Sequence, residues 1–490
     1  MKRASGILLH ISSLPSNLYI GTLADNIDMW IDYLTFAKQK YWQILPIHPV
    51  DIVDSPYASG SAFAGNIYLI SITKMLEDGY IENDDISDLK YSDGYTTDYF
   101  KAKQVKDPIL KTAAKRFFAK AITTEYKDFI KKHKEWLDDY VLFAAIHDMF
   151  NLGWYDWDEK LKMRDPKALK AFIDQHQEEI NFHYFTQFIF FKQFGELKKK
   201  LAKAKIKLIG DIPMYVSYDS ADVWCNRHLF MLDEKGRQTD VAGVPPDAFS
   251  DDGQLWGNPL YRYEEMRKDN YSFWQKRIKH CALLYDTLRI DHYRAFDTFY
   301  AVKAGSKNAR KGVWHKGEGI KLINVLKAAA PTLEFIAEDL GSEMENVEAM
   351  RKASGMPGMK VMQFGIDGDH KNPMAPHNYE RDFVAYLGTH DNETILNWWN
   401  SLTQKQKDIV YNYAGFETDL EIHRKMMKLL SRSVADLVVF QMQDVVGNQF
   451  DLRMNLPGTV INNWKYMAKP EDFKKSDALY LASLSELYGR

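Results

Sequence analysis

The chain has 490 residues, 46% of them hydrophobic and 27% charged, which is the composition of a soluble globular protein with room for a sizeable core. Its 64 Lys and Arg against 67 Asp and Glu leave a formal charge of −3, so no global basic field invites nucleic acid. The only two cysteines, Cys225 and Cys281, give neither metal-ligand spacing nor a disulfide framework, a usage that fits a reducing cytoplasm.

The N-terminus carries Lys2 and Arg3, but the apolar run behind them is far too short for a signal peptide. No window approaches the ~18 uninterrupted apolar residues of a membrane span. Gly6–His10 is the first candidate strand. Ile27, Trp30, Ile31, Leu34 and Ala37 then recur at helical spacing. Tyr41–Ile47 is the second strand candidate, closed off by Pro46 and Pro49. The loop Asp54–Asn66 follows, rich in small residues and carrying Tyr57 beside Pro56. From about 107 to 205 the pattern is mostly helical, with Trp136, Tyr140, Phe143 and Ile146 near helical spacing.

Ile206–Pro213 is the third strand and ends in Asp211. A long Gly/Pro/Asp-rich loop, Gly243–Pro259, carries Phe249 and Trp256 and reads as an ordered lid over a site. Thr287–Arg294 contains the fourth strand. Arg289 and Asp291 lie two apart, so on a strand they share a face. Helical patterning over 319–330 leads to a fifth strand, Leu333–Gly341, which ends in Glu338 and Asp339. Ser342 with Glu345 reads as a capping box, and Gly355 as the end of the helix it opens. Met359–Phe364, Phe383–Asp391 and Asp436–Asp444 complete eight strand candidates.

Eight short strands separated by helical segments predict an α/β fold, a (β/α)8 TIM barrel with large inserted, mostly helical subdomains. We read 1–490 as one catalytic domain. The insertions fall at about 51–205, after the second strand, and 214–285, after the third, including the 243–259 lid. The competing doubly wound sheet would need a Gly-x-Gly-x-x-Gly turn after a strand, and none is present.

Polar residues gather where the strands end, the face on which such barrels build active sites. Asp291, Glu338 and Asp391 all stand there. Two carboxylates facing one bond are what glycoside chemistry needs. Arg289 favours the ionised form of Asp291, which suits a nucleophile. Glu338, beside Asp339 and facing Asp391, is suited to holding a proton. A metal site built from the same acids with His292 and His390 is a competing reading, without a His-Glu-x-x-His spacing to support it. A serine hydrolase would show a Gly-x-Ser-x-Gly elbow, which is absent. The reading therefore calls for no metal and no cofactor.

Leu288–Arg294, Ala337–Gly341 and Gly388–Asn392 resemble the catalytic strand ends of the α-amylase clan. Tyr41–Pro46, Ser55–Tyr57, Ala64–Asn66, Gly210–Pro213, Gly243–Asp247 and Trp256–Pro259 narrow this to a resemblance to the 4-α-glucanotransferases, or amylomaltases, of glycoside hydrolase family 77. The resemblance runs on through Asn455–Thr459 and Asn463-Trp464, nearly the whole chain.

It implies transfer of α-1,4-glucan segments between maltooligosaccharides, with glucose as acceptor or product. Asp291 matches the nucleophile, Glu338 the general acid/base, and Asp391 the third acid, which binds sugar hydroxyls. Arg289 and His390 match the side chains flanking the cleaved glucose, and Asp211 an acid supporting that pocket. Tyr57 matches a ring packing on a donor-side glucose. Trp256 and Asn258 match the glucan-contacting end of the lid, and Asn463 the opposite rim. Ser55, Asp247 and Gln254 join the implied substrate-binding set.

Two stretches depart from the family pattern, Tyr19–Leu23 and Lys465-Tyr466, and both bear on rim contacts. An α-amylase-type hydrolase using the same carboxylates is the alternative activity. An inactive glucan-binding barrel is a third reading.

Overall fold

A computed structural model of the chain describes residues 2–51, 53–89, 91–92, 94–246, 250–341, 344–447 and 452–490. Eight parallel strands build a (β/α)8 barrel: β1 Ala4–Leu8, β2 Tyr41–Gln43, β3 Lys207–Ile212, β4 Thr287–Ile290, β5 Glu334–Ala337, β6 Gly358–Val361, β7 Phe383–Tyr386 and β8 Leu437–Gln441. Their order around the wall is β6-β7-β8-β1-β2-β3-β4-β5. Helices cover the outside, so the strands are buried almost throughout, as parallel strands must be.

The one seam without ladder pairing lies between β5 and β6. Its closure is local. Ala337 N–H donates to Pro357 O at 2.9 Å. Beyond that point a side chain stands in for the missing strand partner: Asp339 Oδ1 accepts from Met359 N–H at 2.8 Å. Arg351, fully buried, holds the other oxygen of Asp339 at 3.1 Å and reaches Asp382 at 2.9 Å. A carboxylate immediately after the catalytic candidate Glu338 thus fastens two strands together.

Between β2 and β3 the chain forms a helical layer. Tyr99–Phe118, Thr124–Phe150 and Gln177–Ala204 pack on one another through an aromatic cluster of Phe117, Tyr126, Phe185 and Phe188. Thr123 caps the second helix by accepting from Tyr126 N–H. Asn151 and Lys205 end the second and third in the left-handed region, at φ 49° and 58°.

Between β3 and β4, where the sequence reads as a long loop forming an ordered lid, the chain makes regular structure. Asp240–Val244 and Gln254–Pro259 pair antiparallel, and Thr298–Lys303 and Gly312–Lys316 extend them to a four-stranded sheet. Tight pairing demands glycine at 243: a Cβ there would lie 2.6 Å from Gln254 O.

Other expectations move by a few residues. β1 starts at Ala4 and stops at Leu8, leaving His10 in the turn before Ile11–Ser13. β2 is only three residues long. β8 ends at Gln441, and Gln443 and Asp444 belong to the short helix Met442–Val446. Gly355 does end the helix Glu345–Ser354, at φ 67°; the helix opens on Met344 with no side-chain cap, not in the Ser342–Glu345 capping box the sequence suggests, and Ser342 itself falls outside the described residues. Among the described residues no helix is long and apolar enough to cross a membrane.

Candidate active site

Register alone brings the first charges together. Asp211 on β3 is directly opposite Arg289 on β4. Neighbouring parallel strands point paired residues to the same face, and both side chains are buried in the barrel. Arg289 Nη1 donates to Asp211 Oδ1 and Oδ2 at 3.0 and 2.7 Å, and to Asp291 Oδ1 at 2.9 Å. One guanidinium nitrogen therefore joins two carboxylates. Burial opposes the arginine's charge, but Asp211 and Asp291 more than compensate and raise its pKa. The carboxyl of Asp211 is pushed up by burial, pulled down by Arg289 and pushed up again by Asp291.

Asp291 closes β4, its N–H bonded to Ile212 O at 3.0 Å. The next residue, His292, takes a left-handed φ of 50°, sparsely populated for a non-glycine residue. That turn aims His292 N–H at Glu338 Oε2, 2.8 Å away, while Leu340 N–H donates to Glu338 Oε1 at 2.9 Å. Both oxygens of Glu338 are thus fixed by backbone. Burial is the largest influence on its carboxyl and raises its pKa; Asp291 adds to the rise, and Arg289 and the two backbone donors oppose it. The net shift is upward, and the like charge among its causes is Asp291, where the sequence reading looks to Asp339 and Asp391.

The opposite wall is set by β7. Tyr57, from the loop after β2, donates its hydroxyl to Asp211 Oδ2 at 2.9 Å and contacts His390 Nε2 at 2.9 Å. Its ring stacks on the imidazole, with centroids 5.3 Å apart and planes 10° from parallel. Burial lowers the pKa of His390 from the ordinary imidazole value, against the opposing pull of Asp391. Asp391 Oδ2 lies 3.3 Å from His390 Nε2, and its carboxylate is 37% exposed to the cleft. Arg289, Asp211, Asp291, Glu338, Tyr57, His390 and Asp391 are therefore one linked cluster at the barrel mouth.

The rim residues are placed differently. Ser55 Oγ accepts from Tyr57 N–H at 3.3 Å and braces that loop. Trp256 presents its ring edge-on to His292, 4.7 Å between centroids, and donates to Gln254 Oε1 at 3.1 Å. Asn258 donates to Val216 O at 3.0 Å. Asn463 ties its own loop, accepting from Leu456 N–H at 2.9 Å and donating to Thr459 O at 2.9 Å. Ser55, Gln254, Asn258 and Asn463 thus spend these bonds within the rim, not on the acids. Asp247 lies outside the described residues.

Sequence reasoning missed two partners of Asp391. Asn455 Nδ2 donates to its Oδ1 at 2.6 Å, and Arg453 Nη2 to its backbone oxygen at 2.5 Å. Asn455 stands in a stretch already singled out, Asn455–Thr459, but an asparagine in a loop carries no sign of what it faces. Among the described residues no group of three His, Cys, Asp or Glu side chains is arranged to hold a metal ion.

Known proteins resemble this chain along nearly its whole length. The family model described as 4-alpha-glucanotransferase matches residues 9–471. A 4-alpha-glucanotransferase of Synechocystis sp. is 40% identical, the match covering 100% of this chain and 98% of that protein. One from Thermus thermophilus is 39% identical over 99% of each. The solved structure of amylomaltase from Streptococcus agalactiae in complex with acarbose superposes with a TM-score of 0.97 at 36% identity, covering 100% of both chains.

Proposed function

Because the chain belongs to the 4-alpha-glucanotransferase family, and so transfers α-1,4-glucan segments between glucans, we propose that Asp291, Glu338 and Asp391 carry out the transfer by double displacement. Asp291 attacks the anomeric carbon of the donor as the glycosidic C–O bond breaks. Glu338 delivers its proton to the departing 4-oxygen. Glu338, now a carboxylate, takes the proton of an acceptor 4-hydroxyl. That oxygen displaces Asp291 and restores the α-linkage.

The single observation that carries this assignment is the opposed setting of the two acids. Asp291 receives a charge-assisted bond from Arg289 at 2.9 Å, while the carboxyl of Glu338 is held above its usual range by burial. One acid is thereby suited to attack and the other to protonate at the same pH. Asp391, braced by Asn455 and half open to the cleft, is positioned to bind hydroxyls of the cleaved glucose. His390 and Tyr57 wall that glucose, Arg289 and Asp211 support it from beneath, and Trp256, Gln254, Asn258, Ser55 and Asn463 belong to the rims that hold the flanking glucan; Asp247, outside the described residues, joins this set by the family resemblance alone. Free glucose serves as an acceptor on this reading. The two unpaired cysteines support a cytoplasmic setting.

Product analysis on maltotriose tests the transfer reading. It is expected to give glucose together with oligomers longer than maltotriose. A mixture of glucose and maltose alone would instead identify an amylase-type hydrolase.

A further inference from the structure

Behind the glucose-binding wall lies a cavity of about 10 Å³, bordered by His390, His10, Gln441, Gln443 and Tyr466 among apolar neighbours. That volume is the room one water molecule needs. Three polar atoms of these bordering residues are buried without a hydrogen-bond partner among the described residues: His390 Nδ1, Gln441 Nε2 and Tyr466 Oη. Buried polar atoms are ordinarily partnered, and a buried water ordinarily has about three protein partners.

The proton on His390 can be assigned from its other side. Arg289 occupies both oxygens of Asp211 as a donor, so Asp211 accepts from the Tyr57 hydroxyl. That hydroxyl has one proton and has given it away. Towards His390 Nε2, at 2.9 Å, it can only accept. Asp391 Oδ2, at 3.3 Å from the same nitrogen, is also an acceptor. Both contacts require Nε2–H. In a neutral imidazole Nδ1 is then a bare acceptor in need of a donor. The fourth polar neighbour, His10, has its Nδ1 taken by Leu45 N–H at 3.2 Å and offers a donor from Nε2.

We propose that this cavity binds one ordered water that accepts from the Gln441 amide and donates to His390 Nδ1 and Tyr466 Oη, making Gln441 a positioning residue for His390. Gln441 ends β8 beside Leu8 of β1. Its effect is to hold His390 in the Nε2–H form with its ring plane against Tyr57, so that the glucose site is lined by a donor. The inference rests on the reading of His390 as a wall of that site.

Joint neutron and X-ray diffraction on wild-type crystals exchanged into D2O tests it directly. The expected result is deuterium on His390 Nε2 and one D2O within hydrogen-bond distance of both His390 Nδ1 and Gln441. Deuterium on Nδ1, or a dry cavity, overturns the proposal. The variant Gln441→Met keeps the side-chain length and removes the donor. It is expected to lose about ten-fold in kcat/KM on maltotriose and to show deuterium shared between the two nitrogens of His390. Wild-type kinetics with Nε2–H retained would remove Gln441 from this role. A misassigned nucleophile would show up separately, as turnover by Asp291→Asn, and would leave the neutron result unchanged.

Discussion

Adding one methyl group at Gly358 tests how the barrel seam positions the proton donor. A Cβ there would lie 2.3 and 2.7 Å from the two carboxylate oxygens of Asp339 and 2.8 Å from Arg351 Cδ. Asp339 must then leave Met359 N–H, its 2.8 Å partner across the seam. Overpacking of this kind costs about 1–3 kcal/mol, and a buried amide left unpaired about 1–3 kcal/mol more. Gly358→Ala should therefore lose roughly 2–6 kcal/mol, a large part of the ~5–15 kcal/mol that holds a typical protein folded. Asp339→Ala is costly on its own account, because Arg351 is fully buried and, among the described residues, keeps only the exposed Asp382 as a charge partner.

In the double variant the carboxylate that the methyl would strike is gone. The two losses should then sum to less than their separate values by about 2 kcal/mol or more, a coupling well outside ordinary additivity. Urea unfolding of the four proteins, followed by circular dichroism, measures the cycle. Since Asp339 follows Glu338 directly, kcat of Gly358→Ala should also fall with KM less affected. If Gly358→Ala costs the same whether residue 339 is Asp or Ala, the seam does not work as described.

Two further perturbations address the acids. Glu338 must be protonated to serve as general acid, and its carboxyl is raised by burial and by Asp291. Activity should persist through neutral pH and fall as pH rises through that raised value. In Glu338→Gln the alkaline fall should vanish along with nearly all turnover of maltotriose, while α-maltotriosyl fluoride, whose leaving group needs no proton, still reacts in the first step; an unchanged alkaline limb in the variant would assign that limb elsewhere. Asn455→Ala removes the 2.6 Å bond to Asp391. With that carboxylate half open to solvent the bond contributes about 1 kcal/mol, so KM for maltotriose should rise about five-fold with kcat less changed, and an unaltered KM would remove Asn455 from the site.

The cluster was legible in the sequence to the extent that its residues sit on strands or follow their ends. Arg289 and Asp291 share a face because they are two apart, and the period of a strand guarantees it. Glu338 and Asp391 were legible as acids closing short apolar runs. What strand pattern could not supply was register: that Asp211 is level with Arg289 is set by the pairing of β3 with β4, which no single strand records. Tyr57 and Asn455 come from loops, where nothing periodic tells which way a side chain points. His292 owes its place to a left-handed backbone turn that favours glycine or asparagine, so its amide contact with Glu338 left no trace in composition.

The antiparallel sheet was missed for a related reason. Gly243, Gly257, Asn258 and Pro259 are poor strand formers, and the ladder tolerates them because Gly243 must let Gln254 O approach. Thr298–Lys303 is strand-like in composition. It alternates Phe299 and Ala301 towards the main core with Tyr300 and Val302 towards a small second cluster, a pattern that signals a strand but not its partners. Strand ends shifted for want of period: β1 is buried on every residue from Ala4 to Leu8, so no polar alternation marks where it begins.

The central claim is that Asp291 carries the glucan between donor and acceptor. Glu338→Gln incubated with α-maltotriosyl fluoride in the absence of acceptor should complete the first displacement and stall at the second, which needs the Glu338 carboxylate as base. Mass spectrometry of a rapid proteolytic digest should then find a maltotriosyl adduct on the peptide containing Asp291. An adduct on Asp391 or Asp211, or no adduct while the fluoride is consumed, would contradict the account.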